Sequence, residues 1–320
     1  MDKGADKTEI SAIVCTYNRA SYLRDAVESL FSQSLDEDAF EVIVVDNAST
    51  DDTKKICDRF LKGHKNFRYV YEPNKGLSNA RNAGIERAKG RFVAFTDDDA
   101  RADRDWLKCL VNAFNAANPP PASVGGRIFL EWEDKKPGWF PDELLGYLGR
   151  LDYGGAPFFL GPDKTLFGGN IAFKTDIIKE VNGFDAGLGR TPDGLLSNEE
   201  IKVFKILRQK NYPLYYAPDA VVYHRVPAQR ATEEFLYRRS LWQGVSDLVM
   251  LKEEKGFFSI CAGLLLSLLK FAAISGVAAF ARLATDKKKI VFLTAMINYH
   301  LGFSIKGAGY ILGLYKGRQG

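Results

Sequence analysis

Cysteine is sparse and dispersed in this 320-residue chain. Cys15, Cys57, Cys109 and Cys261 form no CxxC pair and follow no zinc-like spacing. That speaks against a structural zinc site, and the thiols read as reduced and mostly buried. A basic stripe interleaved with aromatics is also missing, and the net charge is only +4, with a pI near 8.7. Nucleic acid is therefore not an expected partner. The mild positive balance suits an enzyme that handles anionic ligands or rests on an anionic membrane face. Met1 to Glu9 is polar and lacks the apolar core of a signal peptide, which predicts a cytoplasmic chain. There is no internal repeat and no low-complexity stretch, and no GxGxxG follows the first apolar run. The last of these excludes a dehydrogenase of the dinucleotide-binding type.

What is present is an ordinary folded composition, 46% hydrophobic and 26% charged, long enough for one large α/β domain with an appendage. Ile10 to Thr16, Phe40 to Val45, Phe67 to Tyr71 and Arg91 to Thr96 are predicted strands. Helices starting near Ser21, Asp51 and Leu77 alternate with them, the pattern of a mostly parallel sheet with helices on both faces. Another helix, Asp105 to Asn115, stops before three prolines. Ser123 to Leu130 and Leu166 to Phe173 read as further strands, and Glu131 to Gly161 as a long surface excursion. A glycine-rich loop from Gly183 to Ser197 precedes a helix that Asn198 is expected to cap. Leu214 to His224 is extended, and Thr232 to Lys252 is helical. Residues 1–122 and 123–255 read as two halves of one domain, and 256–320 as an apolar helical segment.

The chemistry concentrates where strands end. The fourth strand runs into Asp97, Asp98 and Asp99, and in an open parallel sheet ligands bind beyond the carboxyl ends of the strands. Three adjacent carboxylates repel one another unless a cation sits among them, and Mg2+ or Mn2+ takes such oxygens together with substrate phosphates. Alternation along extended backbone lets Asp97 and Asp99 face one ligand. The competing reading is a solvated acidic turn that caps the next helix. Asp46 ends the second strand and reads either as a ribose or base contact or as a turn residue. Glu199 and Glu200 open a helix after the glycine-rich loop. They read either as acidic residues at a helix N-terminus or as a general base on a mobile loop.

The run Ala12-Ile13-Val14-Cys15-Thr16-Tyr17-Asn18-Arg19 is followed by Val44-Val45-Asp46-Asn47-Ala48-Ser49-Thr50-Asp51. Then come Asn74-Lys75-Gly76-Leu77-Ser78-Asn79-Ala80-Arg81-Asn82, Ala94-Phe95-Thr96-Asp97-Asp98-Asp99, Gly168-Gly169-Asn170, Asn182-Gly183-Phe184-Asp185 and Asn198-Glu199-Glu200. In this order and spacing, over about residues 10 to 230, the chain resembles the inverting family 2 glycosyltransferases, which have the GT-A fold. The resemblance implies a nucleotide-sugar donor bound by the first half of the domain, with Thr16, Tyr17, Asn18, Arg19, Asp46, Asn47, Arg81, Asp97 and Asp98 on the donor side. It implies a DxD metal site in which Asp99 is a direct ligand and Asp97 holds metal or ribose, with His224 where several GT-A enzymes carry a histidine near the metal. It implies Gly169 and Asn170 on the acceptor side, and a catalytic base at Glu200, or at Glu199, because a glutamate stands where the family's Glu-Asp motif has aspartate. Asn47 likewise replaces a frequent second aspartate.

The expected reaction moves one sugar, a UDP-sugar being favoured, to a hydroxyl of a glycan or lipid-linked glycan. Arg238-Arg239-Ser240-Leu241-Trp242-Gln243 does not match the Gln-x-x-Arg-Trp motif of the family's processive synthases. Two rivals are a non-catalytic sugar-binding module and a sugar-phosphate nucleotidyltransferase. The second usually needs a glycine-rich loop after strand one, and Thr16 to Ser21 contains no glycine. Phe257 to Ala281 is long enough to span a bilayer, but a central Lys270 costs about 3 kcal/mol there. Ser259, Ser267 and Lys270 cluster on a helical wheel, which favours a helix lying at the cytoplasmic membrane face over a spanning one or one packed internally.

Overall fold

The apolar run Ile10–Thr16 (β1) has almost no exposed surface, because it pairs on both sides and is covered on both faces. Ile10, Ala12 and Val14 point to one apolar cluster and Ile13 to another, the alternation that a two-faced strand requires. The computed structural model describes residues 8–191, 194–281 and 286–312, without the side chains of 253–257 and 279–281.

In chain order the elements after β1 are α1 (Ala20–Phe31), β2 (Phe40–Asp46), α2 (Thr53–Gly63), β3 (Phe67–Tyr71), α3 (Leu77–Arg87), β4 (Phe92–Asp97), β5 (Ala100–Ala102), α4 (Trp106–Ala116), β6 (Ser123–Gly125) and β7 (Ile128–Trp132). There follow β8 (Phe158–Phe159), β9 (Asn170–Lys174), α5 (Thr175–Glu180), α6 (Glu199–Gln209), β10 (Leu214–Tyr216), β11 (Val222–Val226), α7 (Glu233–Ala281) and α8 (Lys287–Ile311). The main sheet has the order β3-β2-β1-β4-β9-β6-β10-β8. Its first four strands are parallel, β9 runs against both neighbours, and β10 is again parallel to β6. A small sheet, β5-β11-β7, lies apart from it.

Expected strands differ in three places, the first being Leu214 to His224, which divides into β10 and β11 in separate sheets. The strand expected at Ser123 to Leu130 divides into β6 and β7, in separate sheets, because the chain turns at Gly126, where a Cβ would overlap the carbonyl of Ala220. The strand expected from Leu166 starts only at Asn170, after a turn through Gly168 and Gly169. Asn198, expected to cap α6, stands immediately before it. Its side chain donates to Asp247 and accepts from Gln243.

Two compact units result. One holds the chain up to Glu131, Gly149–Pro192 and Glu199–Arg225; the other holds Trp132–Leu148, Asp193–Asn198 and the chain from Val226 on. In the second unit, helical backbone continues through residue 256, where the sequence suggested a division. Yet α7 is not a straight rod. Twelve helical residues span about 18 Å, whereas a Cβ at Gly263 would lie 2.9 Å from the Leu251 side chain. The helix therefore doubles back between these residues, and both of its arms lie on α8. Gly244 and Gly302 set the first arm against α8 so closely that a Cβ on either would overlap the partner helix backbone. Ser267 of the second arm bonds His300 of α8 at 3.0 Å.

Candidate active site

Parallel pairing of β1 with β2 and β4 puts Thr16 beside Asp46, and Cys15 beside Asp97, at one edge of the sheet. The backbone then turns through Asp98 and Asp99 into β5. There Ala100 pairs with His224 of β11, and Arg225 donates its N–H to the Asp99 carbonyl. This antiparallel pairing brings a histidine more than a hundred residues away onto the aspartates. His224 Nε2 lies 3.3 Å from Asp99 Oδ1 and 3.9 Å from Asp97 Oδ2, and one ligand atom from each of the three fits within 4.8 Å.

Asp98 turns the other way. Thr16 Oγ1 donates to its Oδ2 at 2.8 Å, and Arg19 bridges Asp98 Oδ1 (2.8 Å) and Asp99 Oδ2 (2.7 Å). Burial pushes the Asp98 carboxyl up to about 6, with Arg19 opposing. With all three ionised, the aspartates carry three negative charges against one from Arg19, leaving a surplus of two that a divalent cation would neutralise. Two hard carboxylates with one imidazole fit Mn2+ or Mg2+, the imidazole leaning toward the transition metal. Nδ1 of His224 is buried without a protein partner.

The second cluster forms at the start of α6. Arg81, 3% exposed, donates to Glu199 Oε1 at 2.6 Å and lies over the rings of Phe184 and Phe95. Glu200 makes no such pair. Its Oε2 is buried and accepts no hydrogen bond from the protein. Its pKa is pushed up to about 7, first by burial and second by the charge of Glu199, against the pull of Arg81 and the backbone N–H of Gly168.

Gly168 and Gly169 join the two clusters. A Cβ at Gly168 would overlap the Arg81 guanidinium, and one at Gly169 would lie 2.7 Å from Asp97 Oδ2. Both positions sit where side chains of each cluster touch the backbone, so a side chain at either would displace Arg81 or Asp97.

The remaining expected residues divide by exposure. Tyr17 is half-buried under Lys75, which lies 5.1 Å over its ring, and exposed Asn18 accepts the Thr50 N–H. Asp46 and Asn47 are buried. Asp46 accepts from Tyr69 and from the Ser49 N–H, and Asn47 bonds Glu72, Asn74 and Gly76. Asn170 is also fully buried. It accepts from Trp106 Nε1 and donates to the carbonyls of Arg127 and Ala220, so its side chain braces the site from within.

The family model for glycosyl transferase family 2 matches residues 11–181, more than half of the chain and all of the motifs from Thr16 to Asn170. The chain is a family 2 glycosyltransferase. This transferase is 31% identical over 245 residues to the glucosyl-dolichyl phosphate glucuronosyltransferase of Haloferax volcanii, covering 76% of this chain and 77% of the relative. It is 26% identical over 216 residues to glycosyltransferase AglE of the same organism, covering 67% of this chain and 66% of that one. Among solved structures it is similar to a mannosyltransferase from Pyrobaculum calidifontis in complex with GDP-Man and Mn2+, with a TM-score of 0.61 at 20% identity, covering 94% of this chain and 87% of the other. It is also similar to residues 1–349 of S. aureus TarS, with a TM-score of 0.53 at 18% identity, covering 96% and 93%. At those identities the likeness is one of fold, and the fold is GT-A.

Three features of the transferase site lay beyond sequence reasoning. Arg19 as a bridge between two aspartates, the Arg81–Glu199 pair and the two-sided packing of Gly168-Gly169 all join residues dozens of positions apart. Each of these residues stands in a motif of the resemblance, but which of them pair has no signal in the sequence.

Proposed function

We propose that this transferase moves one sugar from a nucleoside-diphosphate sugar, UDP-linked by preference, to a hydroxyl of a lipid-linked glycan, with inversion, at the cytoplasmic face of a membrane. The observation that carries the reading is the pairing of an Asp97–Asp99–His224 cluster with an unpaired, raised carboxyl at Glu200, joined through Gly168-Gly169. A divalent ion, Mn2+ or Mg2+, held by Asp97, Asp99 and His224 would offset the charge that builds on the departing diphosphate. Arg19 keeps Asp98 and the far oxygen of Asp99 in place, so that Asp99 presents its other oxygen toward His224. Tyr17 and Asn18 have the exposure to touch the donor; Thr16, Asp46, Asn47, Arg81 and Asp98 shape its site from beneath. Glu200 takes the acceptor hydroxyl proton as the oxygen attacks the anomeric carbon. A single displacement inverts that centre and needs no carboxylate nucleophile. Glu199, paired with Arg81, is left to hold Arg81.

The lipid-linked acceptor is supported by the dolichyl phosphate-related relative and by Phe258–Ala278, whose mean hydropathy is 2.0 and which is mostly unburied. The test is a screen of UDP- and GDP-sugars on metal-free full-length protein with polyprenyl-phosphate glycans, read by released nucleotide. Release is expected with Mn2+ or Mg2+ and not in excess chelator. Full turnover in chelator would remove the metal from the mechanism. Binding of sugar nucleotides without release under any condition would favour a sugar-binding module.

A further inference from the structure

In the second unit, hydrogen bonds converge on the short segment before α6. Ser197 donates its N–H to Ser246 Oγ at 3.1 Å. Asn198 Nδ2 donates to Asp247 Oδ1 at 2.9 Å, and Gln243 Nε2 donates both to that same oxygen (2.9 Å) and to Asn198 Oδ1 (3.1 Å). Tyr299 of α8 donates its hydroxyl to Asp247 Oδ2 at 2.7 Å. Gly194 is pressed to the same face, where a Cβ would come within 2.9 Å of the Trp242 ring. Asp247 thus engages both oxygens, one toward the segment and one toward α8. Asn198 is held at φ +80°, a conformation that an L-residue adopts when local bonds compensate. The next two residues in the chain are Glu199 and Glu200.

We infer that Asp247 is a positioning residue for transfer. It fixes Asn198 in its left-handed conformation and so sets where α6 begins and which way the Glu200 carboxylate leaves the backbone. Charge-assisted bonds from Asn198, Gln243 and Tyr299 supply the stiffness, and a base displaced by about 1 Å costs on the order of a hundredfold in rate. Nothing in this role asks Asp247 to touch substrate. The inference rests on Glu200 being the base.

The experiment uses full-length protein, with whichever of UDP-glucuronate, UDP-glucose and GDP-Man the screen selects as donor and water as acceptor, read by released nucleotide. Asp247→Ala is expected to lower kcat by tenfold or more, with the donor KM unchanged within about twofold. Tyr299→Phe, which removes one hydroxyl, is expected to give the same split with a loss of about threefold. On a Glu200→Gln background neither substitution is expected to add any loss, because a group that acts through Glu200 has nothing left to act on. Losses that persist on that background overturn the inference, as does a donor KM that rises with kcat unchanged. If Asp247→Ala does not fold, Tyr299→Phe decides by the same two criteria. Glu200→Gln turning over at the unsubstituted rate would sink the base reading itself, whatever Asp247 does.

Discussion

Glu199 and Glu200 are chain neighbours with different partners. Each has a buried Oε2 without a hydrogen-bond partner, but Arg81 takes up the other oxygen of Glu199, whereas Glu200 meets the backbone N–H of Gly168. The sequence left the choice between them open, because both stand at a helix start and the partner of Glu199 lies 118 positions away. A base must be ionised, so a carboxyl raised to about 7 predicts transfer that rises with pH through that value and then levels. Glu200→Gln should lose that limb along with about 10² to 10⁴ of the rate. The same shift carries a stability sign. A carboxyl with a raised folded pKa favours the folded state while it is protonated, and that contribution is lost as pH rises through about 7. Glu200→Gln should therefore melt higher than the unsubstituted protein at pH 8, with the gap closing toward pH 5. An equal gap at both values would contradict the burial of this charge. At the other cluster, Asp99→Ala should cost more than tenfold in turnover, about 1.4 kcal/mol of barrier, measured with Mn2+ in excess.

Elements were legible where one physical demand dominates. β1, β2 and β4 are mostly apolar runs because helices cover both of their faces, and the polar residues inside β1 and β2, Ser11 and Glu41, bond each other across the strands at 2.7 Å. Elements fail to be legible where a glycine serves a distant neighbour. Gly168 and Gly169 sit inside a run with strand composition, but they are there for Arg81 and Asp97, which sequence periodicity cannot register. Gly169→Ala should displace the Asp97 carboxylate while the fold persists. The expected result is a weaker requirement-matched metal response, at least tenfold more Mn2+ for half-maximal activity, with an unchanged circular dichroism spectrum. A normal metal titration would mean that Asp97 is not a ligand. In the helical unit, Gly302 meets the Leu241 backbone, and overpacking of this kind costs about 1–3 kcal/mol. Gly302→Ala should lower the melting temperature without altering the site's metal response.

For the molecule as a whole, the net charge of +4 and the apolar arm of α7 together predict membrane binding. Phe258, Leu265 and Leu269 are among its exposed side chains, and Lys288 and Lys289 stand exposed at the start of α8. Full-length protein should sediment with vesicles containing anionic lipid and less so with neutral ones. Leu265→Glu combined with Leu269→Glu should leave it in the supernatant with an unchanged melting curve. Full-length protein that never sediments would remove the membrane from the proposal. Cutting the chain near residue 255 is a poorer test, because it strips α8 and the second arm from Leu248, which has no exposed surface in the intact unit.

That unit is also assembled from three separate pieces of chain. Trp132–Leu148 carries a fully buried Phe140, with Trp132 and Trp139 on it, and Tyr147 lies beneath Arg239 of α7. During synthesis those aromatics leave the ribosome about a hundred residues before the helix that receives Tyr147. Strands β1 to β4 can pair as they emerge, whereas this segment must wait, exposed, until the region beyond Val226 has been made. Premature stops in α7 should therefore yield chains that bind chaperones and aggregate rather than soluble, slower enzymes, and codon changes that slow translation between residues 148 and 226 should lengthen the exposure.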